Sequence, residues 1–157
     1  MKILMATMKL DIGGAETHIV ELSKELKRQG YDIIVASNGG VYEKELSEAG
    51  IKHYKVPLHD KNPIHMIKSY KLLKNIIIKE KVDIVHAHAR IPAFLLANLH
   101  KKINFPFVTT AHWVFSTKIH FNLLTRWGEK TISVSDDIKD YLIKNYGIPE
   151  KNINVTI

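Results

Sequence analysis

At 157 residues with 45% hydrophobic content, the chain is long enough to bury one substantial core, which predicts a single domain with no disordered tail. It has no cysteine, which excludes disulfides and thiolate metal sites, and no apolar run long enough to span a membrane. The formal charge of +7 is unevenly placed: Lys61, Lys68, Lys71, Lys74, Lys79 and Lys81 have only Asp60, Glu80 and Asp83 nearby, a face suited to anionic lipid, nucleic acid or phosphorylated substrate, or else simply solvated.

The N-terminal MKILMAT is too short for a signal peptide, so a soluble, cytosolic protein is expected. Within it, residues 3–6 are apolar throughout, as a strand buried on both faces must be. Gly13 and Gly14 then separate this strand from a helix over 15–28, with Ala15, Ile19, Leu22 and Leu26 at four-three-four spacing and Gly30 ending it. Residues 31–37 (YDIIVAS) predict a second strand, stopped by Asn38-Gly39-Gly40. A short helix over 42–49 and a third strand over 51–56 follow. Pro63 opens a long basic helix to about Lys81, with Met66, Tyr70, Leu73 and Ile77 on one face. Next come a strand at 82–88 (VDIVHAH), a helix at 92–101, a strand at 105–110 and a weakly patterned helix at 114–127. A strand at 131–134, a helix capped by Ser135 and ended by Gly147, and a strand at 152–157 complete the alternation. This order predicts an α/β fold, a parallel β-sheet with helices on both faces.

In an open parallel sheet, ligands bind at the carboxyl ends of the strands, near a switch in strand order. Gly13 and Gly14, then His86, His88 and Arg90, then His112, then Ser135 all fall at such ends. Two adjacent glycines allow a sharp turn and leave room for an anion beside the first helical N–H groups. They make neither the G-x-G-x-x-G fingerprint nor a P-loop, which argues against NAD-type and ATP-type chemistry. His86 and His88, two apart in a strand, point to one face, and His112 would complete a zinc triad. No carboxylate lies near them in sequence, which favours structural histidines. Arg90 suits two-point clamping of phosphate or carboxylate, and His112 suits donation of a hydrogen bond into the cleft.

The segments GGAETHIV (13–20), VDIVHAHAR (82–90), TTAHW (109–113) and ISVSDDIKDYLIKNYGIPEKNINVTI (132–157) resemble, in order and spacing, the amino-terminal half of the retaining glycosyltransferases of family 4. The resemblance covers essentially the whole chain. It implies a Rossmann-like, acceptor-side domain that works with a C-terminal domain absent from this sequence, where the family carries its E-x7-E motif and holds most of the nucleotide-sugar. It further implies that Gly13 and Gly14 offer backbone N–H groups to the donor diphosphate, that His112 is catalytic, reaching the transferred sugar, and that Glu16, His88 and Arg90 contact the acceptor. Trp113 departs from the smaller or charged residues common after that histidine. The implied substrates are a nucleotide-sugar and a saccharide or lipid-linked acceptor, with no metal or other cofactor and no nucleic acid. For a lipid-linked acceptor, the basic helix and Phe115, Phe121 and Trp127 would be a peripheral face on an anionic membrane.

Two other classes stay open on the residues alone: a metal-dependent hydrolase built on His86, His88 and His112, and a non-catalytic anion-binding or membrane-binding module.

Overall fold

Residues 1–111, 130–133, 140, 143–144 and 150–155 are described by a computed structural model of the chain. The predicted helix at 114–127 and most of the one at 135–147 lie outside the described residues; Asp140, Ile143 and Lys144 are helical. Among the described residues, seven parallel strands form one sheet: β1 (Lys2–Ala6), β2 (Asp32–Ser37), β3 (Lys52–Lys55), β4 (Ile84–Ala87), β5 (Phe107–Ala111), β6 (Lys130–Ser133) and β7 (Ile153–Val155). Their spatial order is β3-β2-β1-β4-β5-β6-β7. The order therefore reverses between β1 and β4, which are hydrogen-bonded neighbours, with Met5 opposite His86 and Ala6 opposite Ala87.

Strand periodicity sorts the core onto the two faces of this sheet. Ile3 and Met5 of β1 and Ile33 and Val35 of β2 pack with Leu10, Val20 and Leu46 under α1 (Gly14–Arg28) and α2 (Glu43–Glu48). Leu4 and Ala6, with Ile34 and Ala36, pack with Leu73, Ile77 and Leu96 under α3 (Pro63–Glu80) and α4 (Arg90–His100). β1 and β2 are apolar at consecutive positions because helices cover both of their sides.

The helix stripes differ from the sequence reading by a small rotation. On α1 the fully buried residues are Ile19, Val20 and Ser23, with Leu22 and Leu26 only partly covered. On α3 they are Ser69, Leu73, Ile76 and Ile77, while Met66 and Tyr70 lie at the margin. In both, a serine is fully buried, Ser23 on α1 and Ser69 on α3. Helix α4 begins at Arg90, two residues before the predicted start. Ala89 is extended (φ −151°, ψ 166°) and serves as N-cap, and Pro92 falls in the first turn, where its missing N–H costs nothing. Arg90 is thus the first residue of a helix and not part of a loop.

On the amino-terminal edge of the sheet, Glu80 ties α3 to two strands. Its carboxylate accepts from Tyr54 Oη (2.7 Å) and Lys52 Nζ (2.9 Å) and lies 3.6 Å from Lys2 Nζ. Donation by Tyr54, then by Lys52, draws its pKa from 4.5 down to about 2. With the folded value depressed, this stabilisation is complete above pH 4.5 and is lost as pH falls toward about 2. Glu80→Gln is expected to cost about 1–2 kcal/mol at neutral pH and to flatten the acid side of the stability curve, read by urea denaturation between about pH 3 and 7.

Candidate functional site

The strand order switches at β1 and β4, and the chain leaves both strands at the same edge of the sheet. From β1 it runs through residues 7–13 into α1; from β4 it passes through His88 and Ala89 directly into α4. The two exits are stitched together, since His88 N donates to Ala6 O at 2.9 Å, and on its other side the β1 exit is tied to β2 by Thr7 N donating to Ala36 O at 3.0 Å. Two helix N-termini therefore flank the switch point. Neither has a side-chain cap. By contrast, α3, which starts beside the edge strand β3, is capped by Asn62, whose side chain accepts from Ile64 N at 2.9 Å. Among the described residues no side chain caps either start, so the positive ends of two helices face the switch point, where an anion would meet them.

The glycines of the first loop behave differently from the expectation of a sharp turn. Gly13 is extended (φ 176°, ψ 165°), and Gly14, the first residue of α1, is not among the positive-φ residues. Any residue can adopt such an extended backbone. A methyl group built at Gly13 would meet only the movable Glu16 carboxylate, and one built at Gly14 would meet nothing within 4 Å among the described residues. Among the described residues nothing demands either glycine, and beside Gly14 the helix start is open.

Glu16 stands at the third position of α1, half-buried, with its carboxylate folded back toward Gly13. The first turn is held by Thr17, whose N–H and Oγ1 both donate to Gly13 O (3.0 and 2.8 Å) and whose hydroxyl meets Tyr42 Oη at 2.9 Å. Ile12, 84% exposed, and Val41, 61% exposed, stand in the loops at this rim.

A second glycine pair supports the first loop. Leu10 N donates to Gly39 O (3.0 Å), Tyr42 N to Leu10 O (3.1 Å) and Asn38 N to Met8 O (2.9 Å). Gly39 (φ 93°) and Gly40 (φ 156°) do take positive φ, which L side chains rarely adopt. A Cβ at Gly40 would lie 2.5 Å from the carbonyl carbon and oxygen of Leu10. The pair is held in turn by Ser37 Oγ, which accepts from Gly39 N (3.0 Å), and by Glu43, which accepts from Gly40 N (2.9 Å). His53 reaches Ser37 Oγ (2.7 Å) and lies 3.4 Å from Glu43; burial holds its pKa below 6.5. Asn38-Gly39-Gly40 read in sequence only as a strand stop. Its partner lies 30 residues away, so no local signal marked it as the seat of the first loop.

Beneath the rim, His86 and His88 share one face of β4, as their spacing predicts. Their rings stack with centroids 3.9 Å apart and planes at 30°. His86 hydrogen-bonds Thr110 through Nε2, and His88 Nε2 lies 3.2 Å from Met5 Sδ. A thioether can only accept, so His88 Nε2 carries the hydrogen. His88 is 1% exposed; it forms the floor of the rim and reaches it through its backbone and through the stack. Arg90, half-buried, opens α4 above this floor. His112, Trp113 and Ser135 lie outside the described residues; β5, which ends at Ala111, finishes on the same edge as β1 and β4. The third histidine of the zinc alternative is therefore not placed, and the described pair has each Nε2 engaged within the protein.

Comparisons with known proteins converge on this architecture. An uncharacterized glycosyltransferase of Methanocaldococcus jannaschii is 30% identical over 156 residues, covering 92% of this chain and 44% of its own length. The crystal structure of a glycosyltransferase from Rickettsia africae superposes with TM-score 0.79 at 31% identity, over 98% of this chain and 42% of that one. The fold is shared with Anabaena HepE in complex with UDP-glucose, at TM-score 0.75 and 18% identity, over 98% of this chain and 43% of that one. The chain thus spans under half the length of the relatives it matches. No helix among the described residues is long and apolar enough to cross a membrane. A switch point flanked by uncapped helix starts is common to many α/β folds, but the family model of glycosyltransferase family 4 also matches residues 12–156, from the glycine loop to the last strand. The chain belongs to that family.

Proposed function

We propose that the protein containing this chain transfers a sugar from a nucleotide-sugar to a saccharide or lipid-linked acceptor, with retention at the anomeric carbon. The observation that carries this reading is the space beside Gly14, open among the described residues: a glycine that neither backbone angle nor packing there requires, at a helix start with no side-chain cap among them, at the switch point of the sheet. In this reading the chain is the acceptor-side domain, and a C-terminal domain grips most of the nucleotide. The Anabaena neighbour's bound UDP-glucose supports a nucleoside diphosphate sugar as the donor class.

As the bond from the anomeric carbon to the diphosphate breaks, negative charge grows on the phosphate oxygens while the sugar becomes oxocarbenium-like. The N–H groups at Gly13 and Gly14 take that charge without reorganising, so transfer needs no metal. His112 acts at the transferred sugar. Glu16 and Arg90 orient the acceptor, a carboxylate for its hydroxyls and a guanidinium for any phosphate it carries, and His88 supports them from below. The protein works on the cytoplasmic side.

The lipid-linked form of the acceptor is supported by the outer face of α3. Ile64, Ile67 and Ile78 are 75%, 59% and 57% exposed and alternate with exposed Lys68, Lys71 and Lys74. Such a face combines apolar insertion with attraction to anionic headgroups, which makes a peripheral membrane contact.

Turnover of a panel of nucleoside diphosphate sugars by the full-length protein tests the reading, with product nucleoside diphosphate as readout. One donor is expected to turn over, and His112→Ala is expected to lower its rate about 100-fold or more. No turnover of any donor, or an unchanged rate in the variant, would contradict it.

A further inference from the structure

The turn that joins β3 to α3 gathers three metal-ligating side chains that the proposed transfer does not use. Val56 and Leu58 are fully buried and pin the chain as it leaves the sheet. Beyond them, Asp60 Oδ1 accepts from Asn62 N at 3.1 Å and is hydrogen-bonded to His65 Nδ1 at 2.8 Å, while His59 Nε2 lies 3.2 Å from Oδ2. The imidazoles of His59 and His65 have centroids 5.0 Å apart, inclined at 43°. One ligand atom from each of His59, Asp60 and His65 lies within 4.8 Å of the other two. Ligands bound at about 2.0–2.2 Å in tetrahedral array sit about 3.3–3.6 Å from one another, so small side-chain rotations would bring the three atoms onto one ion.

We propose that His59, Asp60 and His65 bind a divalent transition-metal ion of the zinc class. Two imidazole nitrogens and one carboxylate oxygen suit zinc, cobalt, nickel or copper, and they do not suit magnesium or calcium, which take oxygen ligands. The side chains are 31%, 42% and 37% exposed, so an ion can enter and water can complete the coordination. Asp60 is already organised for the role: its second oxygen faces one ring while its first holds the other and the turn. His59 would ligate through Nε2, the nitrogen that faces Asp60; its Nδ1 is buried with no hydrogen-bond partner among the described residues. Lys61 lies beside Asp60 in sequence, and a positive charge so near would lower the affinity for a cation. The ion would clip the start of α3 to the end of β3. Glycosyl transfer does not pass through it, and the site stands or falls apart from the proposed function.

The test is metal binding, not activity. The full-length protein is stripped with chelator and titrated with zinc against a chromophoric indicator, then with cobalt to record the visible spectrum. One equivalent of zinc is expected to bind with a dissociation constant of order micromolar, and His59→Ala and His65→Ala are each expected to weaken it at least about tenfold. Because these side chains are partly exposed, both variants are expected to keep their circular dichroism; should one lose it, Asp60→Asn replaces it. His100→Ala, which changes a histidine of another element, is expected to bind as the parent does. In the parent, cobalt is expected to show the intense visible bands of a four- or five-coordinate nitrogen-oxygen site. No stoichiometric zinc, or full affinity retained in either folded histidine variant, overturns the proposal.

Discussion

Gly14→Ala is expected to leave the protein as stable as before, or firmer by up to about 0.5 kcal/mol, while lowering kcat/KM for the nucleotide-sugar about 10- to 100-fold. Gly14 is the first residue of α1, where alanine is the better helix former, and its added methyl would touch nothing within 4 Å among the described residues. Stability therefore has no reason to fall. The same methyl would occupy the space in which a phosphate approaches the unpaired N–H groups of the first turn, pushing the charge away from its donors. Few substitutions separate folding from function so cleanly. Urea denaturation and steady-state kinetics on the same preparation check both halves; a variant as active as the parent would mean that the first glycine loop is idle.

Gly40→Ala is expected to do the opposite. Its Cβ would stand 2.5 Å from the Leu10 carbonyl carbon and oxygen, at φ 156°, and those neighbours are backbone atoms anchored by the fully buried Leu10 side chain. Neither segment can yield without breaking the Leu10–Gly39 and Tyr42–Leu10 hydrogen bonds. The cost is expected to be about 2–4 kcal/mol, with activity falling alongside because the displaced segment carries residues 11–14. The denaturant midpoint measures it, and an unshifted midpoint would contradict the close approach. The two glycine pairs look alike in sequence, yet one makes room within the protein and the other makes room for something outside it.

That difference marks where sequence reading reached its limit. Periodicity placed β1, β2, α1 and α3 to within a residue or two, because apolar spacing records local geometry directly. The same-face relation of His86 and His88 was equally legible from a period of two. What those rings meet, Met5 and Thr110, depends on the register of three parallel strands, which no local pattern encodes. The sequence pattern starts α4 at Pro92, two residues late, because proline suits a first helical turn, whereas Ala89 caps the helix without a side-chain signal. The inward serines of α1 and α3 were invisible to a count of apolar residues. His59 and His65 fall on either side of a helix start, so neither period brings them together; the turn around Asp60 does. Of the candidate site, the loop, Glu16, His88 and Arg90 are placed, and His112 rests on the order of motifs.

The central claim is that the uncapped start of α1 receives the donor diphosphate. The measurement that bears on it most directly is a crystal structure of the full-length protein with a nucleoside diphosphate sugar bound. Phosphate oxygens are expected about 2.7–3.1 Å from backbone nitrogens at Gly13 or Gly14, with the space beside Gly14 filled. A bound donor whose phosphates lie elsewhere, with that space left to water, would contradict the account.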